Sequence, residues 1–464
     1  MRVLFIDPPV PEGERSPERV FGCTYGHYPI PNIFLLTAAA VLEADGHEVE
    51  YRDCPAEESE WDELPRILAG GYDAFVLYSV NLSMDLDSRA RKEMRKAAPE
   101  AIIASIGPAP TYYSDSFLDD ERCYAVTGEP ERGLARLLRD PESCDPVIDS
   151  EFVEELDALP YPARHLLRRQ LYFNPKFRHQ GKRGSFTALI TSRGCPYQCS
   201  YCVPNSLSFA RELSHRSACG SKPPWRPRSA DDVAREIEQL QREGYTHVSI
   251  IDDEFAIQSQ RAAKIAGALG EADITWGCLA RADSIDSQLA KTMAESGCEY
   301  VDVGLESFDQ EVLDDIGKGC TVERMVEGVR ILAEAGIGVK LNILIGSSPK
   351  ETLESVRDTV RRAIGLKPDS IMFGICNPFP GTVFYRQALA RGYFVRGDYY
   401  PVDVQRESTI SLPHMSKEVL EREVRRANRR FFLSPRFIFR NLHRLLSPAS
   451  FLRGLRALWK KLAP

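Results

Sequence analysis

The sequence has no run of about 18 uninterrupted apolar residues, so no membrane-spanning helix is expected. Its first residues, MRVLFIDPPV, lack a basic stretch followed by an apolar one and a small-residue cleavage site. They read as a strand entering a loop, and the expectation is a cytoplasmic protein. Cysteine is too sparse for a disulfide scaffold, with twelve thiols over 464 residues. Basic excess is missing too: a formal net charge of −8 leaves no general surface for neutralising phosphates, which argues against a general nucleic-acid binder. Short-period repeats and low-complexity tracts are absent. With 43% hydrophobic and 27% charged residues, the chain has the composition of a globular protein long enough for two large units and an appendage.

From Arg2 to about Arg139, short apolar strands alternate with helical segments. The strands are VLFI, HEVEYRD, AFVLYS, AIIASIG and CYAVTG, and the helical segments include those around Ile33 to Asp45, from Trp61 and from Asp85. Repeated units of this length predict a parallel sheet covered on both faces, with ligands at the carboxyl ends of the strands. The candidate ligand loops are therefore Pro8-Pro9, Ser79 to Ser83, Gly107 to Pro110 and Gly128-Glu129. Residues 141–185 lose the rhythm and read as a connector with proline-fixed turns.

A second series begins at TALIT and continues through HVSII, ITWGCL, EYVDVGL, VKLNILIG and SIMFGIC. Six strands with helices between them predict a partial (β/α)6 barrel over residues 186–390. A C-terminal extension occupies 391–464. From Arg422 onward it holds twelve Lys or Arg against one acid, Glu423, interleaved with Phe431, Phe432, Phe437, Phe439 and Trp459. This basic amphipathic pattern fits a packing arm with a solvated face, or contact with a membrane surface or another anionic partner.

Three of the twelve cysteines fall within eight positions, in TSRGCPYQCSYC, directly after the first strand of the second series. The spacing is C-x3-C-x2-C, through Cys195, Cys199 and Cys202. Thiolates are soft ligands for iron–sulfur clusters or zinc. Three in one short loop hold three corners of a [4Fe-4S] cube and leave the fourth iron open to chelate S-adenosylmethionine (SAM). The alternatives are a structural zinc site, for which a fourth ligand or second C-x2-C pair is missing, and three structural cysteines. Cys23, Cys54, Cys123, Cys144, Cys219, Cys278, Cys298, Cys320 and Cys376 show no second cluster spacing and suit small buried hydrophobes.

With SRGCPYQCSYC come IDDEF at 251–255, WGCLARAD at 276–283, GCEYVDVGLES at 297–307, LNILIGSSPKET at 341–352 and NPFPGT at 377–382. In this order they resemble the radical S-adenosylmethionine superfamily, specifically the subgroup with an N-terminal cobalamin-binding domain. The resemblance implies a flavodoxin- or Rossmann-like cobalamin domain over residues 1–140, binding through the loops that contain Pro8, Pro9, Ser79, Gly107, Gly128 and Glu129. It implies that Asp252, Asp253 and Glu254 meet the SAM amino group, with capping of the following helix as their structural alternative. It also implies that Arg281 pairs with the SAM carboxylate, that Glu306 and Ser307 face its ribose and sulfonium, and that Tyr201 lies near its adenine. For Glu306 the alternative is a buried ion pair. GSSPKET departs from the more usual Gly-Leu-Pro-Gly-Glu-Thr form.

Asp45-Gly46-His47 superficially matches the start of a cobalt-ligating Asp-x-His motif, but Glu50 replaces its final glycine, so His47 is expected in a solvent-facing turn after a helix. The resemblance implies methylation of an unactivated carbon in a small-molecule or lipid-like substrate, with a reducing electron donor such as flavodoxin or ferredoxin. A radical oxidation or cyclisation with the same cofactors is the second enzymatic reading, and a non-catalytic cobalamin carrier or sensor is a third. The stretch RELSHRSACGSKPPWRP at 211–227 is a candidate pocket lining.

Overall fold

The computed structural model describes residues 1–26, 28–177 and 186–441, which form two compact units. The first comprises Met1–Pro196 and Val203–Cys278; the second comprises Tyr197–Cys202 and the chain from Leu279 onward.

Six parallel strands make the first sheet of the first unit: β1 (Arg2–Asp7), β2 (Glu48–Asp53), β3 (Ala74–Tyr78), β4 (Ile102–Ile106), β5 (Cys123–Thr127) and β6 (Val147–Asp149). Their order is β2-β1-β3-β4-β5-β6. Every residue of β3, β4 and β5 is buried, as expected for central strands covered on both faces. The outer strand β2, EVEYRD, alternates buried with more exposed positions. β6 lies inside the segment read as a connector. Three residues in an exposed–buried–exposed pattern carry no usable periodicity, which is why the sequence did not reveal it. Helices Ile33–Ala44 and Met84–Ala97 match the predicted helical segments, and helix Pro130–Arg139 follows β5.

Further along this unit, β7 (Phe186–Leu189) is followed by the two-residue strands β8 (Ser192–Arg193) and β9 (Arg226–Pro227), which pair antiparallel. Next come β10 (His247–Ile250) and β11 (Thr275–Ala280). β10 pairs in parallel with both β7 and β11, and helices Ser206–Cys219, Ala230–Arg242 and Ser259–Glu271 lie between the strands. The former connector is fastened here by Arg164, whose buried guanidinium reaches Glu236 at 2.6 Å and the Ala188 carbonyl at 2.9 Å.

In the second unit, β12 (Cys298–Glu306), β13 (Gly338–Ile345) and β14 (Ser370–Ile375) are parallel, with β13 between its neighbours. Helix Lys417–Phe432 buries Leu420, Val424, Ala427, Phe431 and Phe432. Its Arg422, Arg426, Arg429 and Arg430 are exposed. A short helix, Pro435–Asn441, follows, with Phe439 74% exposed. The rest of the predicted basic tail, 442–464, lies outside the described residues. Among the described residues no helix is long and apolar enough to cross a membrane.

Candidate active site

The cysteine loop begins where β7 ends, and buried acids fasten its entry. Asp252 follows β10 and is fully buried. It accepts hydrogen bonds from the Thr191 amide at 2.6 Å, the Thr191 hydroxyl at 2.5 Å and the Ser192 hydroxyl at 2.7 Å. Asp253 spans the loop's two ends, accepting from the Gly194 amide at 3.1 Å and the Asn205 amide at 2.7 Å. Burial raises both carboxyls, that of Asp253 to about 6. Neither caps the following helix, whose N-cap is Gln258. Glu254 is buried and accepts from the Ala256 amide. The acidic segment matched to SAM is thus occupied with the loop's own backbone and hydroxyls.

Arg193, two residues before Cys195, is buried as well. It donates to Glu131 at 2.6 Å and lies 3.4 Å from Glu129. Glu129, expected at a cobalamin loop, receives Arg193, Arg211 and Arg226 together with the Val153 amide. These cations hold its carboxyl below the usual range despite its burial. Arg211 and Arg226 belong to the stretch read as pocket lining, which therefore begins and ends on this carboxylate.

The second unit contains the middle of the loop. The Ser200 amide donates to the Ile316 carbonyl at 2.8 Å, and the Phe384 amide to the Ser200 carbonyl at 2.9 Å. Glu306 ends β12 at φ +65°, rare for a side-chain-bearing residue, beside an irregularity in the β12–β13 register. Its carboxylate folds back over Gly304, where an added Cβ would meet it at 2.6 Å. It pairs with buried Lys318 at 3.1 Å. Glu306 and Cys199 both raise the Lys318 ammonium, while Glu306, Cys199 and Cys202 add to the burial that raises the Tyr201 phenol. Cys199, Cys202, Tyr201, Glu306 and Lys318 thus share one neighbourhood.

Arg281 follows β11. Its guanidinium stacks 3.8 Å above the Tyr197 ring and makes two bonds to Asp283, at 3.0 and 2.9 Å. Ser307 instead serves its own turn, lying 3.3 Å from the Thr359 hydroxyl and accepting from the Asp309 amide. Sequence reasoning missed Lys318, Arg193 and Glu131. Lys318 stands in a Gly-Lys-Gly turn that carries no periodic signal. Arg193 could have been suspected, since a charge flanked by a buried strand and a cysteine loop needs a partner.

In the GSSPKET segment, Glu351 accepts from the Gly346 and Ser347 amides, while its Oε1 has no partner. Burial pushes this carboxyl up to about 8. Ionising it in the folded protein is therefore costly, and stability falls as pH rises from the ordinary carboxylate range through about 8. Glu351→Gln should raise Tm little at pH 5 and by an increasing amount that levels off above pH 8. A gain independent of pH contradicts this assignment.

Three of the predicted cobalamin loops meet at the carboxyl edge of the first sheet. The Ser79 amide donates to the Ile106 carbonyl, the Ala109 amide to the Ser79 carbonyl, and the Gly128 amide to the Thr111 hydroxyl. Gly107 has φ +104°, and a Cβ there would lie 2.7 Å from the Ser79 carbonyl oxygen, so only glycine fits. Pro8 and Pro9 are buried after β1, and the adjoining Asp7 pairs with buried Arg19 at 3.2 Å. His47 stands at the opposite, amino end of β2, half-buried rather than solvent-facing.

No disulfide involves Cys195, Cys199 or Cys202. Among the described residues no group of three His, Cys, Asp or Glu is gathered to hold a single ion. The donor set of three half-buried thiols in one loop fits an iron–sulfur cluster. The buried Ser79 hydroxyl, which lacks a hydrogen-bond partner, fits a polar ligand above the first sheet.

Residues 189–363 match the family model described as the Radical SAM superfamily, and the match contains the complete cysteine loop. Those residues are a radical SAM domain, and the chain is an enzyme. An uncharacterized methyltransferase of Pyrococcus horikoshii is 25% identical, over 95% of both chains. The anaerobic magnesium-protoporphyrin IX monomethyl ester cyclase of Synechocystis is 25% identical, over 84% of this chain and 78% of the relative. Among solved structures, the radical SAM methyltransferase TsrM of Kitasatospora setae, with cobalamin and a [4Fe-4S] cluster bound, superposes with a TM-score of 0.63. It is 20% identical, and the match covers 84% of this chain and 75% of that one.

Proposed function

We propose that this protein is a cobalamin-dependent radical SAM enzyme that methylates an unactivated carbon of a small or amphiphilic molecule. The observation that carries the reading is the C-x3-C-x2-C thiol loop, its entry fastened by buried carboxylates, in a chain that also presents a parallel sheet with its ligand loops at the carboxyl edge. When bound, the [4Fe-4S] cluster with SAM supplies a 5′-deoxyadenosyl radical, and cobalamin supplies the methyl group.

Residues 1–140 form the cobalamin-binding domain, 186–390 the partial barrel and 391–464 the extension. Cys195, Cys199 and Cys202 are the cluster ligands. Tyr201, Arg281 and Glu306, which lie in the second unit with Cys199, are the SAM contacts we favour. Asp252 and Asp253 keep the loop in shape, and Ser79, Gly107 and Gly128 line the cobalamin side. Electrons come from a reduced carrier of the flavodoxin or ferredoxin type.

Methyl transfer consumes two SAM molecules, one as methyl donor to cobalamin and one as radical source. Anaerobic turnover of candidate substrates with cobalamin and reductant should therefore release S-adenosylhomocysteine and 5′-deoxyadenosine in equal amounts, and the product should gain one methyl group. Formation of 5′-deoxyadenosine without S-adenosylhomocysteine contradicts methyl transfer. That outcome supports the second reading, radical oxidation or cyclisation, which the similarity to the cyclase favours.

The C-terminal face supports peripheral contact with an anionic membrane. Exposed Arg426, Arg429 and Arg430 stand close in sequence to exposed Leu433, Ile438 and Phe439, the mixture that seats an amphipathic helix in headgroups. Ile438→Ser with Phe439→Ser in the full chain should weaken sedimentation with anionic vesicles by roughly tenfold or more, leaving iron content unchanged. Undiminished sedimentation overturns the membrane reading.

A further inference from the structure

Arg193 enters the cysteine loop from β8 and is 2% exposed. It is held by Glu131 at 2.6 Å and approached by Glu129 at 3.4 Å, the first in the opening turn of helix Pro130–Arg139 and the second its N-cap, at the carboxyl end of β5. Glu129 is fully buried. Arg226, on the strand paired with β8, donates to it, and Arg211, on the helix leaving the loop, lies 3.7 Å away. Arg211 also reaches back to the Arg193 carbonyl at 3.4 Å and the Pro224 carbonyl at 2.6 Å. The strand entering the loop, its partner strand and the helix leaving the loop therefore converge on one carboxylate.

Such a cluster is an expensive way to gain stability. Each buried ion carries a large desolvation penalty, and apolar side chains of similar volume often serve as well. Five N–H groups of these three arginines and the neighbouring tryptophan lack a hydrogen-bond partner: Arg193 Nη1, Arg211 Nε, Arg226 Nε and Nη1, and Trp225 Nε1. What the cluster supplies is direction, because a planar guanidinium held between two carboxylates, 2.6 Å from Glu131 and 3.4 Å from Glu129, is fixed in orientation as well as in distance.

We propose that Glu129 and Glu131 are positioning residues for the cluster loop. They grip Arg193 so that the first sheet's carboxyl edge sets the backbone path through Gly194 into Cys195. This inference rests on the reading of Cys195, Cys199 and Cys202 as cluster ligands. A polar ligand seated on that edge, in contact with the turn at Gly128-Glu129, then acts mechanically on the loop through the same carboxylates.

The test uses full-length protein reconstituted with iron and sulfide. The charge-balanced double variant Arg193→Gln with Glu131→Gln removes one buried pair without stranding a charge. Arg132→Gln with Glu151→Gln removes an exposed pair from the same helix and its neighbourhood and serves as the control. The first double variant should keep the wild-type thermal transition, lose iron to a chelator about 10–100-fold faster and shift the EPR spectrum of the reduced cluster. The control should match wild type in all three.

A folded variant with wild-type iron loss and an unshifted spectrum overturns the inference. Should the double variant fail to fold, Arg193→Lys, which keeps the charge but not the two-pronged geometry, must shift the spectrum in its place, and an unshifted spectrum overturns the inference equally. Equal iron in wild type and in a variant lacking all three cysteines defeats the cluster reading itself. Iron lost only in the cysteine variant defeats the positioning role alone.

Discussion

Cys199→Ala should reduce 5′-deoxyadenosine formation to the level of a protein-free control while leaving the fold intact. The loop around Cys199 is held by backbone hydrogen bonds, from the Ser200 amide to Ile316 and from the Phe384 amide to Ser200, so removing the sulfur does not release it. The thiol lies near the buried Lys318 ammonium. Cys298→Ala is the counter-case. That thiol is buried in β12, where burial raises it above the ordinary thiol range and the Tyr300 carbonyl accepts its proton, and it stands outside the C-x3-C-x2-C spacing. Its replacement should leave iron and 5′-deoxyadenosine formation unchanged and cost only packing. Equal losses from the two substitutions would mean that the activity reports general damage.

The second large effect concerns the buried pair of Glu306 and Lys318, 3.1 Å apart. Glu306→Gln strands a buried ammonium and should cost about 3–5 kcal/mol in denaturant unfolding of the second unit. Glu306→Gln with Lys318→Met removes both charges and should recover most of that loss. The rare φ of +65° at Glu306 and the space at Gly304 that its carboxylate fills point to more than an ion pair. Accordingly, the double variant should regain stability without regaining SAM affinity in equilibrium dialysis. Recovery of both would make Glu306 purely structural.

These assignments came from the sequence unevenly, for physical reasons. The central strands β3, β4 and β5 were legible because burial on both faces leaves uninterrupted apolar runs. The cysteine loop was legible because cluster chemistry fixes residue type and spacing together. β6 was not, because three residues at a sheet edge have no period. The roles of Asp252 and Glu129 were also hidden. A carboxylate beside a strand's carboxyl end looks the same in sequence whether it faces a ligand or a neighbouring arginine; in the fold, Thr191 and Ser192 meet Asp252, and Arg193, Arg211 and Arg226 surround Glu129. Lys318 became visible only once the fold brought residues 12 positions apart, 306 and 318, to one buried contact.

The most direct test of the account is iron and cobalt analysis, with visible spectra, of anaerobically reconstituted intact protein and of the Cys195→Ala, Cys199→Ala, Cys202→Ala triple variant. The account predicts about four irons per chain in the intact protein and none in the variant, as one cubane held by three thiolates requires, with cobalt near one per chain in both. Iron retained by the variant, or cobalt absent from the intact protein, would contradict it.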